Sequence, residues 1–192
     1  MLRQLITTVL LTAMISPAWA GYKLDPDHSE LHFVSVKKTD FAEVHRFKAL
    51  SGSMSENGKV TLNIDLDSVA TGIDIRDERL KNLLFQTDRY KTATVTTHID
   101  PKMITALAVG ERKTFDVDGK LDLHGKQHDI KAAMTLVRLS NNKLFATTTA
   151  PVIVKASEFD LGTGLNQLAQ IAALSSISDA VVVTLTLEFD AD

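Results

Sequence analysis

Lys59-Val60-Thr61-Leu62-Asn63-Ile64-Asp65-Leu66 carries an apolar residue at every even position and a polar one at every odd position. Successive strand side chains point to opposite faces, so this segment reads as a strand with one dry and one wet face. The alternation returns at Phe115-Asp116-Val117-Asp118-Gly119-Lys120-Leu121-Asp122-Leu123 and at Val183-Thr184-Leu185-Thr186-Leu187-Glu188-Phe189-Asp190. Weaker versions occupy 31–37, 43–54, 94–99, 130–136 and 144–154, giving about eight strands. Glu56-Asn57-Gly58 and Asn141-Asn142 supply hairpin-like turns. Parallel strands buried on both faces read as continuous apolar runs, so this sheet is mostly antiparallel.

Two segments depart from period two. Asp74 is placed to cap a helix over 75–85, with Leu80, Leu83 and Leu84 on its dry side and Arg76, Asp77, Arg79 and Lys81 on its wet side. A second helix over 165–174 sets Leu165, Leu168, Ile171 and Ala172 on one side. A sandwich and a barrel both bury one face, and alternation alone does not choose between them. Closure removes exposed edges, and roughly eight strands leave an interior just wide enough for side chains or one small ligand. Val, Leu, Ile and Ala dominate the inward positions, and only two Tyr and eight Phe follow residue 20. Such a lining favours an underfilled, dry interior.

The chain of 192 residues is 44% hydrophobic and 23% charged, with no Cys. That composition excludes collagen-like, disordered and disulfide-scaffold classes, and the length suits one domain. A net charge of -3 provides no basic footprint for nucleic acid. Residues 1–20 have the layout of a cleaved secretory signal peptide: Arg3, a short apolar run from Leu5 to Ile15, a break at Ser16-Pro17, and small residues in Ala18-Trp19-Ala20. The run is shorter than the roughly 20 residues of a bilayer span. Cleavage after Ala20 leaves a domain of residues 21–192 that folds outside the cytoplasm, has lost Arg3 and Trp19 and carries a charge of -4.

Catalytic signatures are sparse. His28 and His32 are four apart at a strand start, about 13 Å along an extended chain and too far for one ion. Asp25, His28 and Ser29 have triad residue types, but Asp25-Pro26-Asp27 is turn chemistry and no Gly-x-Ser-x-Gly elbow accompanies it. No Cys nucleophile, phosphate loop or dinucleotide fingerprint occurs. In His124-Gly125-Lys126-Gln127-His128 two histidines could meet across a hairpin mouth near Asp122 or Asp129, but zinc asks for three or four ligands. Arg76-Asp77-x-Arg79 reads as a solvated helix face. The stretch 161–178 has no charged residue, which suits a docking face or membrane-touching portal.

The order of these segments resembles the YceI-like family of lipocalin-like periplasmic lipid binders. Tyr22-Lys-Leu-Asp-Pro-Asp-His-Ser29 followed by Leu31-x-Phe33 is similar to that family's opening. Ser68-x-x-Thr71-Gly72, Arg76-Asp77-x-x-Leu80, Phe85 and Tyr90 follow in the family's order. Gly119-Lys-Leu-Asp-Leu-His-Gly125, Ser157-x-Phe159-x-Leu161-Gly162 and Ser178-Asp179-x-Val181 resemble its later segments. The departures are His45 where many members have Gly, Lys91 where Pro is usual after Tyr90, and Tyr22 in place of Trp. They bear on ligand and pocket shape more than on fold.

The resemblance implies an all-β, extended antiparallel barrel with one or two short helices, an elongated apolar tunnel, and no catalytic residue or cofactor. The expected partner is a polyisoprenoid or other long-chain lipid, and there is room for transient membrane contact and for a homodimer. The candidate tunnel lining is Leu31, Phe33, Phe47, Val60, Leu62, Ile64, Val117, Leu121, Met134, Leu136, Val183 and Leu185, with Phe85 and Phe159 closing the ends. Two alternatives stand beside this: a metal-dependent enzyme using His124 and His128, and an interaction module docking through 161–178.

Overall fold

The computed structural model describes residues 21–38 and 40–192, so the signal peptide expected over 1–20 lies outside the described residues. The alternating segments form β1 (Tyr22–Lys37), β2 (Phe41–Phe47), β3 (Leu50–Met54), β4 (Lys59–Asp65), β5 (Val69–Ala70) and β6 (Thr92–His98). They continue as β7 (Arg112–Leu123), β8 (Lys126–Ser140), β9 (Lys143–Thr148), β10 (Val152–Lys155) and β11 (Ala180–Ala191). All pairings are antiparallel. Eight strands run in the order β11-β9-β8-β7-β6-β4-β3-β1, and β1 pairs back onto β11, so the sheet is a closed barrel. β2, β5 and β10 are extra strands laid beside this ring.

Two segments expected as single strands are divided. Between β2 and β3, the Lys48 N–H donates to Ser68 O (3.1 Å) and the Ala49 N–H to Ser68 Oγ (3.0 Å), diverting both donors from the ladder. Between β9 and β10 stands Pro151, which has no N–H to donate. β1 bulges between Asp25 and Glu30. There the Asp25 carboxylate accepts from the Asp27 N–H, and Ser29 Oγ donates to Asp25 O at 2.6 Å while accepting from the Glu188 N–H at 3.0 Å.

The helices also differ in detail from expectation. α1 spans Asp74–Arg79, and its N-cap is Ile73, not Asp74. The chain then widens into a π-helical turn over Leu80–Phe85. α2 (Pro101–Thr105) was not anticipated, although Asp100 caps it by accepting from the Lys102 N–H at 2.9 Å and Pro101 opens its first turn. α3 spans Gly162–Ile171, three residues earlier at each end than the apolar spacing suggests.

α2 covers the barrel end that carries the β8–β9 turn. Ile104 and Leu107 are buried there, and Arg138 donates to Leu107 O (2.7 Å) and Ile104 O (2.6 Å). The π-helical turn and α3 pack together at the opposite end.

Candidate functional site

The barrel encloses a cavity of about 260 Å³, and its wall is apolar except for Thr97. Even that hydroxyl is turned away from the hollow, donating to Asp118 O at 2.7 Å. The wall is built by the alternation itself. β4 contributes Val60, Leu62 and Ile64, and β7 contributes Phe115, Val117, Leu121 and Leu123, each at every second position or multiples of it. Val60, Phe115, Val117 and Ile130 stay partly accessible although they point inward, because they face the hollow instead of another side chain.

Of the lining anticipated from sequence, Leu31 and Phe33 on β1, Phe47 on β2, Val60, Leu62 and Ile64 on β4, and Val117 and Leu121 on β7 stand on this wall. So do Met134 and Leu136 on β8, Val183 and Leu185 on β11, and Phe85. Phe159 does not. It belongs to a 3-10 turn over Ala156–Phe159 and is 1% exposed. Ala156 opens that turn and takes the wall position, while Phe159 closes it and packs edge-on against His128 with ring centroids 5.0 Å apart.

Several wall residues escaped the sequence reading. Leu187 and Phe189 continue the parity of Val183 and Leu185 and were legible as such. Leu84 stands beside Phe85 on the wall, an arrangement a regular α-helix would oppose by turning adjacent residues about 100° apart. Leu161 and Leu165 also join it. Of the apolar face expected for docking, Leu168 is buried, whereas Ile171 is 49% exposed.

Beyond Phe33 the inner face of β1 and β2 becomes polar. The register sets Leu31 opposite Phe47, Phe33 opposite His45, and Ser35 opposite Glu43. His45 is 5% exposed, with Nε2 2.9 Å from Ser35 Oγ and its ring 5.2 Å from that of Phe33. Its Nδ1 is buried with no partner. Burial, reinforced by the Arg76 guanidinium, holds its pKa below the ordinary imidazole value. Glu43 bridges Lys37 and Arg76, and chiefly the Lys37 hydrogen bond holds its carboxyl below the usual range. Arg76 and Asp77 are not a solvated helix pair: Arg76 donates from Nε to Thr71 Oγ1 (2.8 Å), from Nη2 to Thr71 O (2.7 Å) and from Nη1 to Glu43 Oε2 (2.8 Å).

His124 and His128 are not drawn into a cluster of three ligating groups among the described residues. His124 Nδ1 lies 3.2 Å from Phe159 O, its Nε2 is buried without a partner and its ring lies against Tyr90 at a 51° tilt, whereas Asp122 accepts from Gln127 and Asp129 from Lys120. Among the described residues the ligating groups that converge are Asp25, His28 and Glu188. A cation already serves them: Lys143 Nζ stands 2.5 Å from Glu188, 3.2 Å from Asp190 and 3.7 Å from Asp25. The Glu188 hydrogen bond foremost, then Asp190, raises the Lys143 pKa.

The YceI-like domain matches residues 22–189. The chain belongs to the YceI-like family. A polyisoprenoid binding domain from Saccharophagus degradans, implicated in plant cell wall breakdown, is 42% identical, with 89% of this chain and 98% of that one covered at a TM-score of 0.87. BcnA of Burkholderia cenocepacia shares the fold at 20% identity, with 86% and 98% covered at a TM-score of 0.67. The Campylobacter jejuni YCEI protein does so at 18% identity, with 77% and 84% covered at a TM-score of 0.56. No curated protein matches the chain.

The motifs that carry the YceI-like resemblance are joined in space. Asp179 accepts from the Ser157 N–H (2.7 Å) and Ser157 Oγ (2.8 Å), tying together two segments that are separate in the chain. The Thr71 N–H and Oγ1 both donate to Asp77 Oδ1, at 2.9 and 2.5 Å. These contacts position the helical cover over the YceI-like cavity.

Proposed function

We propose that this chain is a periplasmic carrier or sequestering protein that holds the long apolar tail of a polyisoprenoid or fatty-acyl lipid inside the barrel. The observation that carries this reading is the wall itself, apolar apart from Thr97 around a hollow of about 260 Å³. An apolar cavity of about 150 Å³ stays dry and takes up benzene, so this one accommodates on the order of ten carbons as it stands. At about 0.8 kcal/mol per buried methylene, ten carbons offer roughly 8 kcal/mol before association costs. Longer chains enter by displacing mobile wall side chains, Met134 first among them because its thioether stem has several rotamers.

The tunnel residues, from Leu31 on β1 to Leu185 on β11, act as a non-catalytic contact surface, and no cofactor takes part. Support comes from the 42% identical polyisoprenoid binding domain and from the signal-peptide layout of residues 1–20. Native mass spectrometry of protein purified gently from the periplasm should show co-purifying lipid. Added long-chain lipid should raise the melting temperature of stripped protein. Repeated isolation of lipid-free chain whose melting temperature no long-chain lipid moves would sink the carrier assignment.

A further inference from the structure

The inner face of β1 and β2 changes character within two residue pairs. Leu31, Phe33 and Phe47 belong to the cavity wall, and the next inward position on β2 is His45. By strand parity His45 shares the face of Phe47, and it lies directly across from Phe33. This ring is more than nine-tenths buried, with one nitrogen at Ser35 Oγ and the other without a partner. Native proteins rarely leave a buried polar atom unpaired, because the lost hydration is not recovered; such an atom commonly marks a missing ligand or water.

The surroundings restrict what that partner can be. Four charged side chains lie beyond His45: Lys37 and Arg76 are positive, Glu43 and Asp77 negative. They cancel, and each already has a bonded counterpart among its neighbours. Arg76 has committed Nε, Nη1 and Nη2 to Thr71 and Glu43. No surplus positive charge is left for a carboxylate or phosphate. The ring itself is kept neutral by burial. A neutral imidazole bonded to Ser35 through Nε2 presents at Nδ1 either a lone pair or an N–H, depending on the tautomer. A hydroxyl satisfies both cases, since it donates and accepts.

We propose that His45 is the anchor for the polar end of the ligand, and that this end is an uncharged hydroxyl hydrogen-bonded to Nδ1 while the tail lies in the cavity. The assignment rests on the carrier function proposed above and makes it more specific: the cargo is an alcohol-headed amphiphile. His45 is not itself on the cavity wall; Phe33, on the wall with its ring 5.2 Å from those of both His45 and Phe47, is the side chain that gives way for the head group to reach Nδ1.

The test uses three ten-carbon probes with the same branched chain type: myrcene, which has no polar group, geraniol, and geranate at about pH 7.5. In the unaltered chain, geraniol should shift the His45 ring nitrogen resonances in a histidine-resolved NMR spectrum, and myrcene should bind without doing so. Geranate should bind more weakly than geraniol. In His45→Phe the ratio of geraniol to myrcene dissociation constants should rise roughly tenfold, the scale of one lost hydrogen bond. Myrcene binding itself should change less than about twofold.

If myrcene binds but geraniol leaves the His45 resonances unmoved, or if geranate binds most tightly, the anchor is wrong and the tunnel survives. Equal weakening of geraniol and myrcene in His45→Phe also overturns it, since that marks simple packing. If none of the three probes binds, the carrier function fails and the anchor with it. Should His45→Phe not fold, the resonances of the unaltered chain still decide.

Discussion

Gly164 of α3 meets Leu83 of the π-helical turn so closely that a β-carbon at 164 would stand 2.5 Å from the Leu83 carbonyl oxygen and 2.9 Å from the Leu84 Cα. Both obstacles are backbone, so no rotamer change relieves them. This contact sets the two halves of the helical cover together, with Leu84, Phe85, Leu161 and Leu165 beneath it on the cavity wall.

Gly164→Ala should therefore lower stability by about 1–3 kcal/mol through overpacking. Gly162, two residues earlier, has nothing within 4 Å of its would-be β-carbon, and Gly162→Ala should be neutral or mildly stabilising. Urea unfolding of the two variants side by side checks the contrast. Equal effects would show that helix propensity, not the close approach, governs the site.

Filling the hollow should separate stability from binding. Ala132 lies on the wall and is only partly buried. Ala132→Phe places a ring in the cavity and should abolish uptake of a ten-carbon hydrocarbon, while changing unfolding free energy by less than about 2 kcal/mol. By contrast Leu136→Ala, at a wall position 3% exposed, should cost about 2–5 kcal/mol. Calorimetric titration of the first variant and urea unfolding of both report the outcome.

Arg138 holds the other end of the barrel with donations to Leu107 O, Ile104 O and Asn141 O at 2.7, 2.6 and 3.2 Å. Arg138→Ala removes the side-chain donor from the Leu107 carbonyl and leaves Ile104 O only the Leu107 N–H at 3.2 Å, and should cost at least about 2 kcal/mol. Arg138→Lys should recover little, because a single ammonium cannot reproduce the planar fork. Near-complete rescue by Lys in thermal unfolding would show that charge, not geometry, matters there.

Two histidines pull the pH dependence in opposite directions. The folded pKa of His45 is lowered, mainly by burial. Below an ordinary value of about 6.5 the unfolded chain takes up this proton more readily, so stability falls as pH drops from there through the lowered folded value. The folded pKa of His28 is raised, chiefly by its 2.7 Å hydrogen bond to Asp25. Its contribution is complete below about pH 6.5 and is lost as pH rises through the raised value. His45→Gln should therefore flatten the acid side of the stability profile, and His28→Ala the side above it. Denaturation midpoints collected between about pH 5 and about pH 8 distinguish them.

How far the fold could be read in advance is clearest at β4, β7 and β11. Period two is a property of the strand backbone itself, so Leu62, Leu121 and Leu185 were assignable to the inner face without knowing any neighbour. The two misplaced strand ends had causes of different visibility. Pro151 stands in the sequence, whereas the loss of the Lys48 and Ala49 donors depends on Ser68 arriving from twenty residues away. The Asp74 cap failed because the Ile73 carbonyl accepts from the Arg76 and Asp77 N–H groups at 2.9 and 3.0 Å. The Asp77 carboxylate, meanwhile, is engaged by Thr71.

The amino-acid order alone determined which residues face inward, that the sheet is antiparallel, and that its inner face is aliphatic, because each follows from local backbone geometry and side-chain chemistry. The tertiary structure decided what no local rule reaches. It closed β1 onto β11, left a void where aliphatic side chains from opposite walls do not meet, and moved Phe159 off that wall. It also set His45 beside Phe33, buried and with one ring nitrogen lacking a partner. Those features depend on distances between segments far apart in the chain, which only the closed barrel sets.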